Sequence, residues 1–229
     1  MIGPFALACL DMAGTTVRDD GAVEVAFAAA LEAVGVTPGS PRHAEATRVV
    51  RETMGWSKAD VFARLLHPAD APRANAAFAA AYEALVAAGS VTALPGALDV
   101  IRALRASGVK VCLTTGFAPS TRDALLAALG WEREIDLALS PADVGRGRPA
   151  PDMVLGAMAR LGVADPSAVV VVGDTVSDLE AGTAAGAGAV VGVLSGAHDE
   201  AQLAAAPHTA ILRDVTWLLG LLEHGLTTP

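Results

Sequence analysis

Residues able to bind a metal ion and a phosphoryl group follow the ends of apolar, strand-like runs. Asp11, Thr115 and Asp174 each follow one run, and Arg148 lies in a polar segment after another. Two carboxylates at one edge of a sheet can hold a hard cation such as Mg²⁺. A hydroxyl and a guanidinium suit the oxygens of a phosphoryl group. Asp11 and Asp174 could instead cap a turn and a helix, but their occurrence together with Thr115 and Arg148 favours the chemical interpretation.

The runs that must position these residues predict a parallel sheet. Strands are expected at residues 5–10, 109–113, 134–139, 168–172, 188–193 and 210–212. Helical patterns alternate with them at residues 121–129, 151–161, 178–185 and 215–223. Continuous apolar strands that alternate with helices are typical of a sheet covered on both faces. The expected fold is α/β, a doubly wound Rossmann-like parallel sheet core, whose ligands bind beyond the carboxyl ends of the strands.

One stretch interrupts the alternation of strands and helices. Between residues 20 and 89 the sequence has only helical periodicity, at residues 23–34, 41–51, 58–65 and 72–88. This length exceeds an ordinary crossover, so it predicts an inserted all-helical domain. We expect a core domain of residues 1–18 and 92–229, and an inserted helical domain of residues 19–91.

Charge and composition narrow the classes of partner. The net charge of −9 disfavours binding to nucleic acid or to a membrane surface. The five histidines never occur at zinc-ligand spacing. Cys9 and Cys112 lie in apolar runs and read as buried thiols of a reducing compartment. No segment reads as a membrane span or a signal peptide. We therefore expect a cytoplasmic protein, monomer or homodimer, with a small metabolite as its partner.

Four segments resemble the motifs of the haloacid dehalogenase superfamily, in the same order. They are Leu10–Val17, Leu113–Gly116, Gly147–Asp152 and Gly173–Asp178. The resemblance spans the chain and includes a helical cap inserted after the first motif. It implies the fold described above, with residues 19–91 as the cap domain.

The resemblance also implies a nucleophile and a metal site. Asp11 would attack phosphorus and form an aspartyl-phosphate, which divides one difficult displacement into two easier ones. Mg²⁺ would be held by Asp11, the backbone carbonyl of Ala13 and Asp174. Asp178 would orient a metal-bound water, unless it only caps a helix that begins after Thr175.

Three further residues are implied to bind the phosphoryl group. Thr115 and the Gly116 amide would hold its oxygens, and Arg148 would fix and neutralise it. The metal and phosphoryl sites would therefore share one pocket.

Position 13 distinguishes branches of this superfamily. Its phosphatases usually place a second Asp there as general acid and base, whereas this chain has Ala13, which can do neither. The first motif resembles the phosphonatase branch, whose substrate is phosphonoacetaldehyde. That branch cleaves a C–P bond after a cap lysine forms a Schiff base, and its enamine leaving group needs no acid at this position.

Lys58 occupies the place where that branch has its lysine. The segment Met54–Lys58 resembles the phosphonatase Met-Gly-x-x-Lys, and the chain has 14 arginines but only two lysines, Lys58 and Lys110. Ser57 followed by Asp60 predicts a capping-box-like helix start. The positive end of that helix would favour a neutral, nucleophilic amine. A solvated cap lysine is the alternative.

Three positions depart from the phosphonatase pattern. Phe117 replaces a tyrosine, Val61 a histidine and Ala22 a cysteine. We expect a Mg²⁺-dependent phosphonatase-like hydrolase, with catalytic residues Asp11, Lys58, Thr115 and Arg148. The alternatives are a phosphatase of a small phosphate monoester, of phosphoglycolate or sugar-phosphate type, and a non-catalytic ligand-binding module. The sequence leaves the substrate body and the oligomeric state open.

Overall fold

A parallel six-stranded sheet forms the centre of the computed structural model, which describes residues 5–18 and 20–224. The strands of the chain are β1 Leu7–Asp11, β2 Val17–Arg18, β3 Thr92–Ala93, β4 Lys110–Thr114, β5 Leu137–Leu139, β6 Val169–Gly173, β7 Ala189–Val193 and β8 Ala210–Leu212. The order across the main sheet is β5-β4-β1-β6-β7-β8. β2 and β3 form a separate antiparallel pair.

Helices cover the sheet and fill the inserted stretch. They are α1 Ala22–Ala33, α2 Pro41–Glu52, α3 Lys58–Leu65, α4 Ala71–Ala87, α5 Ala97–Ala106, α6 Pro119–Leu129, α7 Asp152–Leu161, α8 Val176–Ala184, α9 Glu200–Ala204 and α10 Leu218–His224. Short 3₁₀ turns lie at Pro141–Asp143, Pro166–Ala168 and Val215–Trp217. Within the described ranges, no helix has the length and apolar character needed to span a bilayer.

The predicted α/β fold, a doubly wound parallel sheet with an inserted run of helices, is confirmed. All six predicted sheet strands are present, and β6 is buried along its whole length, as its four consecutive valines indicate. The prediction missed β2 and β3, which have two residues each, and also α5 and α9. The helical pattern expected at 215–223 is divided between a 3₁₀ turn and α10. The division into domains 1–18 with 92–229 and 19–91 stays a prediction.

The topology brings the carboxyl end of β1 to the centre of the binding edge. β1 pairs with β4 on one side and with β6 on the other, so the winding reverses direction beside it. Ligands of doubly wound sheets bind in the crevice at such a switch point. Asp11 is the last residue of β1, and Thr114 is its register partner at the end of β4.

The inserted helices have an aromatic core of their own. Phe27 of α1, Phe62 of α3 and Phe78 of α4 are all buried, and their ring centroids lie 4.9–6.2 Å apart. Each buried phenylalanine contributes about 1.5–3 kcal/mol of transfer free energy. These contacts tie α3, which begins at Lys58, to α1 and α4.

We expect Gly188→Ala to lower the free energy of unfolding by about 2 kcal/mol, because the new Cβ would collide with the Ser167 backbone carbonyl. Gly220→Ala is the matched control: a Cβ there meets nothing within 4 Å, and alanine is the better helix former by about 1 kcal/mol. Urea unfolding measures both variants. Equal stability of the two would contradict the packing described at Gly188.

Candidate active site

An arginine joins two aspartates at the carboxyl edge of the sheet. Nη1 of Arg148 donates to Oδ1 of Asp11 at 2.6 Å and also to Oδ1 of Asp178. All three side chains are buried. Nε of Arg148 is buried too and has no hydrogen-bond partner among the described residues. The guanidinium therefore binds both carboxylates through one nitrogen.

Asp174 follows β6 and is held by two loops. Its Oδ1 accepts a hydrogen bond from Oγ1 of Thr15 at 3.1 Å, and its Oδ2 accepts one from the Ala197 amide at 2.7 Å. Gly14 and Gly196 flank the carboxylate so closely that a Cβ on either would collide with it. Glycine at both positions therefore allows the backbone to enclose Asp174.

Asp178 both caps a helix and contacts the arginine. Its Oδ2 accepts from the Thr175 amide at 3.1 Å and from Oγ1 of Thr175 at 2.5 Å, which forms a capping box at the start of α8. Its Oδ1 accepts from Arg148. Asp178 therefore caps α8 through one oxygen and contacts Arg148 through the other, and its role in orienting a metal-bound water stays a prediction.

The three aspartates form a cluster that could hold a metal ion. One carboxylate oxygen of each aspartate lies within 4.8 Å of those of the other two: Asp11, Asp174 and Asp178. Among the described residues, this is the group of possible metal ligands that the structure brings together. Buried carboxylate oxygens are the donors that a hard divalent cation such as Mg²⁺ requires. The donor set therefore fits this ion.

Burial and mutual repulsion disturb the ionisation of this cluster. Burial raises the pKa of Asp11 well above its ordinary value, Arg148 opposes this shift, and Asp178 and Asp174 add to it. Burial and the negative charge of Asp178 raise the pKa of Asp174 to about 6. For Arg148, burial lowers the pKa, but Asp11 and Asp178 outweigh it and the net shift is upward. Arg148 therefore keeps its positive charge, and it contacts two of the three aspartates.

Lys58 lies against the loop that follows β4. It is the first residue of α3, as predicted, and its amide donates to the Gly116 carbonyl at 3.1 Å. The capping-box-like start is wrong, because Ser57, although it is the N-cap residue, makes no side-chain capping bond in the described part of the chain. A Cβ on Gly116 would collide with the Trp56 carbonyl. The segment Met54–Lys58 and the loop after β4 are therefore in contact through the backbone atoms of both.

A cavity of about 690 Å³ lies between the inserted helices and the sheet edge. It is lined by seven of the eight residues predicted for the site: Asp11, Ala13, Lys58, Thr115, Gly116, Arg148 and Asp174. Asp178 is absent from the lining and acts on the site through Arg148 and Thr175. The structure therefore brings the predicted residues together, and their chemical roles stay predictions.

The loop after β7 also belongs to the site, although it was not predicted from the sequence. Ser195 donates through Oγ to the Gly14 carbonyl at 2.7 Å, and residues 194–197 line the cavity. This loop follows the carboxyl end of a strand, which is the signal that identified Asp11 and Asp174. Thr15, which orients Asp174, was likewise assigned no role.

Three comparisons with known proteins agree on the class of this chain. A family model of haloacid dehalogenase-like hydrolases matches residues 5–186. "Probable phosphatase IndB" of Dickeya dadantii is 31% identical over 219 residues, which cover 93% of this chain and 92% of that protein. A hydrolase structure from Pseudomonas syringae superposes with a TM-score of 0.83 at 26% identity, covering 96% of this chain and 98% of that one.

A further relative matches a shorter region. Phosphonoacetaldehyde hydrolase of Bacteroides fragilis is 36% identical over 111 residues. The match covers 47% of this chain and 41% of that enzyme, so the chain spans about two fifths of the length of this relative.

We expect the contribution of Asp174 to the stability of the metal-free protein to fall as the pH rises from about 4 to 6, because this carboxyl group binds more protons in the folded state than in the unfolded state there. The pKa of Asp174 is raised from 3.8 to about 6 by burial and by Asp178. This shift alone corresponds to roughly 3 kcal/mol. Asp174→Asn removes that contribution, so its stability relative to wild type should increase over this range. Urea unfolding in EDTA measures the difference, and a difference independent of pH would contradict the prediction.

Proposed function

This chain belongs to the haloacid dehalogenase-like hydrolases, and we propose that it cleaves the C–P bond of a small phosphonate aldehyde, of phosphonoacetaldehyde type. The observation that carries the proposal is that Asp11 and Lys58 line one cavity. Ala13 also lines this cavity, at the position where a phosphatase of the family would place its acid. Family membership shows a hydrolase rather than a non-catalytic binding module.

The metal site would use the buried carboxylates. Asp11, the Ala13 carbonyl and Asp174 would hold Mg²⁺, and Asp178 would orient a water beside it. The ion supplies positive charge that offsets the repulsion between a carboxylate and a phosphoryl group. Thr15 and Ala197 support this role, because they fix both oxygens of Asp174.

Asp11 would be the nucleophile, and three neighbours would hold the phosphoryl group. Arg148 contacts the Asp11 carboxylate through Nη1 and lines the same cavity, where its positive charge would neutralise the phosphoryl group. Thr115 and the Gly116 amide lie on the same lining. Donors arranged in advance around a buried site stabilise charge that develops during the reaction.

Lys58 would activate the aldehyde. Its amine adds to the carbonyl carbon, and loss of one water gives a protonated imine. As an Asp11 oxygen bonds to phosphorus, the C–P bond breaks and its electron pair moves toward the imine nitrogen, which leaves an enamine. Proton uptake at carbon and hydrolysis then release the aldehyde product and the free amine. A further water cleaves the aspartyl-phosphate and releases phosphate, so the net reaction consumes one water.

A phosphatase of a small phosphate monoester, of phosphoglycolate or sugar-phosphate type, is the second candidate. It is favoured by the relative from Dickeya dadantii, which is named as a phosphatase and matches nearly the whole chain. Phe117, Val61 and Ala22 also lack the polar groups of the phosphonatase pattern. In this case Lys58 would act only through its charge.

We expect Mg²⁺ binding to depend more on Asp174 than on Asp178. Asp174→Asn should abolish the increase in melting temperature that Mg²⁺ produces, because it removes a direct ligand. Asp178→Asn should weaken binding by about 10–100-fold, the usual effect of losing a residue that orients the ligands. Thermal unfolding against Mg²⁺ concentration measures both. Loss of binding in Asp178→Asn alone would reverse the two roles.

We expect Lys58→Arg to lower C–P cleavage nearly as much as Lys58→Ala, to less than about 1% of wild type, because arginine keeps the charge but forms no imine. Phosphate release from phosphonoacetaldehyde measures activity, and borohydride trapping with mass mapping measures the imine. Lys110→Arg is the matched control: it removes the other lysine, which is exposed, and should retain both signals.

Asp11→Asn separates the two halves of this mechanism. It should still form the borohydride-trapped adduct at Lys58 but release no phosphate. If Lys58→Arg keeps most of the activity, the C–P proposal is wrong and the phosphatase candidate takes its place.

A further inference from the structure

Aromatic residues are scarce in this chain, yet most of them form one cluster. The sequence has five phenylalanines, three tryptophans and one tyrosine. Four of the phenylalanines and the tyrosine are packed ring against ring, and we call them the aromatic cluster: Phe27, Phe62, Phe78, Tyr82 and Phe117. All five are buried. The distribution calls for an explanation beyond general core packing.

The cluster surrounds the end of the Lys58 side chain. Nζ lies 5.5 Å from the ring centroid of Phe117, 5.6 Å from that of Phe27 and 6.0 Å from that of Phe78. The rings come from the loop after β4, from α1 and from α4, so only the folded chain brings them together. The side chain of Lys58 is itself buried and lines the cavity that contains Asp11.

A nitrogen in this position benefits from the rings only while it carries charge. Aromatic faces attract cations, and the attraction grows when the cation is shielded from water. Burial among apolar side chains is costly for a cation, and aromatic faces reduce that cost. The rings favour both charged forms of this nitrogen, and they favour a protonated imine more than the ammonium, because the imine has one N–H donor that needs a partner where the ammonium has three.

We propose that Phe27, Phe78 and Phe117 are positioning residues that form a three-ring cage around the Lys58 nitrogen and stabilise its protonated imine. The inference rests on the proposed C–P cleavage, in which that imine accepts the electron pair of the breaking bond. Phe117, one ring of the cage, stands where the phosphonatase pattern has a tyrosine.

Phe62 supplies a matched control for the cage. It belongs to the aromatic cluster and packs on Phe27 and Phe78, but it is not among the three rings described around Nζ. Phe62→Leu therefore disturbs the same core as Phe27→Leu or Phe117→Leu without removing a face of the cage. Phe117→Tyr keeps an aromatic ring at this position and should therefore keep the imine formation that Phe117→Leu loses.

The experiment measures imine formation on the full-length protein. Acetaldehyde, which is small and uncharged, is trapped by borohydride at increasing concentration, and the adduct at Lys58 is quantified by mass mapping. We expect the half-saturating concentration to rise about fivefold in Phe27→Leu and in Phe117→Leu. It should stay within twofold of wild type in Phe62→Leu and in Phe117→Tyr. Thermal unfolding reports whether each variant is folded.

A second measurement covers leucine variants that fail to fold. Biosynthetic replacement of phenylalanine by 4-fluorophenylalanine weakens the negative ring faces while nearly keeping their shape. We expect the fluorinated protein to need a higher acetaldehyde concentration at an unchanged melting temperature. An unchanged concentration would overturn the cage.

The outcomes separate this inference from the proposed function. If wild type is trapped and Phe117→Leu behaves like Phe62→Leu, the cage is wrong and the imine mechanism stands. If wild type gives no adduct at Lys58 with acetaldehyde or with phosphonoacetaldehyde, the imine mechanism fails and the cage fails with it.

Discussion

Three carboxylates are buried together at the carboxyl edge of the sheet, and their mutual repulsion must be offset for the chain to fold. Arg148 offsets part of it by donating to Asp11 and Asp178. Backbone and hydroxyl donors offset more, since Asp174 accepts from Thr15 and from the Ala197 amide. The pKa values of Asp174 and Asp11 are nevertheless raised. Burial is the main cause, and repulsion by the neighbouring aspartates adds to it. A site strained in this way favours a divalent cation, whose charge would relieve the repulsion.

The same site depends on glycine backbones that pack so closely against their neighbours that a Cβ atom would not fit. A Cβ on Gly14 or Gly196 would collide with Asp174, one on Gly116 with Trp56, and one on Gly55 with Thr175. The contacts of Gly14 and Gly196 surround the Asp174 carboxylate. The other two place the segment Met54–Lys58 against the loops that follow β4 and β6. Ser177 adds a hydrogen bond from Oγ to the Met54 carbonyl at 3.1 Å. These contacts fix where α3 begins, and so where the Lys58 side chain enters the cavity.

The lining of the cavity combines two kinds of chemistry. Asp11, Asp174 and Arg148 are ionic, and the three aspartates of the cluster could hold a metal ion. Phe117 is apolar, and the nitrogen of Lys58 lies among aromatic rings. A substrate with a charged phosphoryl group and a small uncharged carbonyl group would match both kinds of side chain.

The sequence by itself determined the parallel sheet and the residues at its carboxyl edge. Continuous valines predict β6, and polar residues at strand ends predict Asp11, Thr115 and Asp174, because these signals are local. Two-residue strands such as β2 carry too little pattern to be predicted. Only the tertiary structure decided that Arg148 pairs with Asp11 and Asp178, that Ser195 binds the Gly14 carbonyl, and that three distant phenylalanines surround Lys58. Those contacts join residues far apart in the chain, and their geometry follows from how the helices and loops pack rather than from spacing along the sequence.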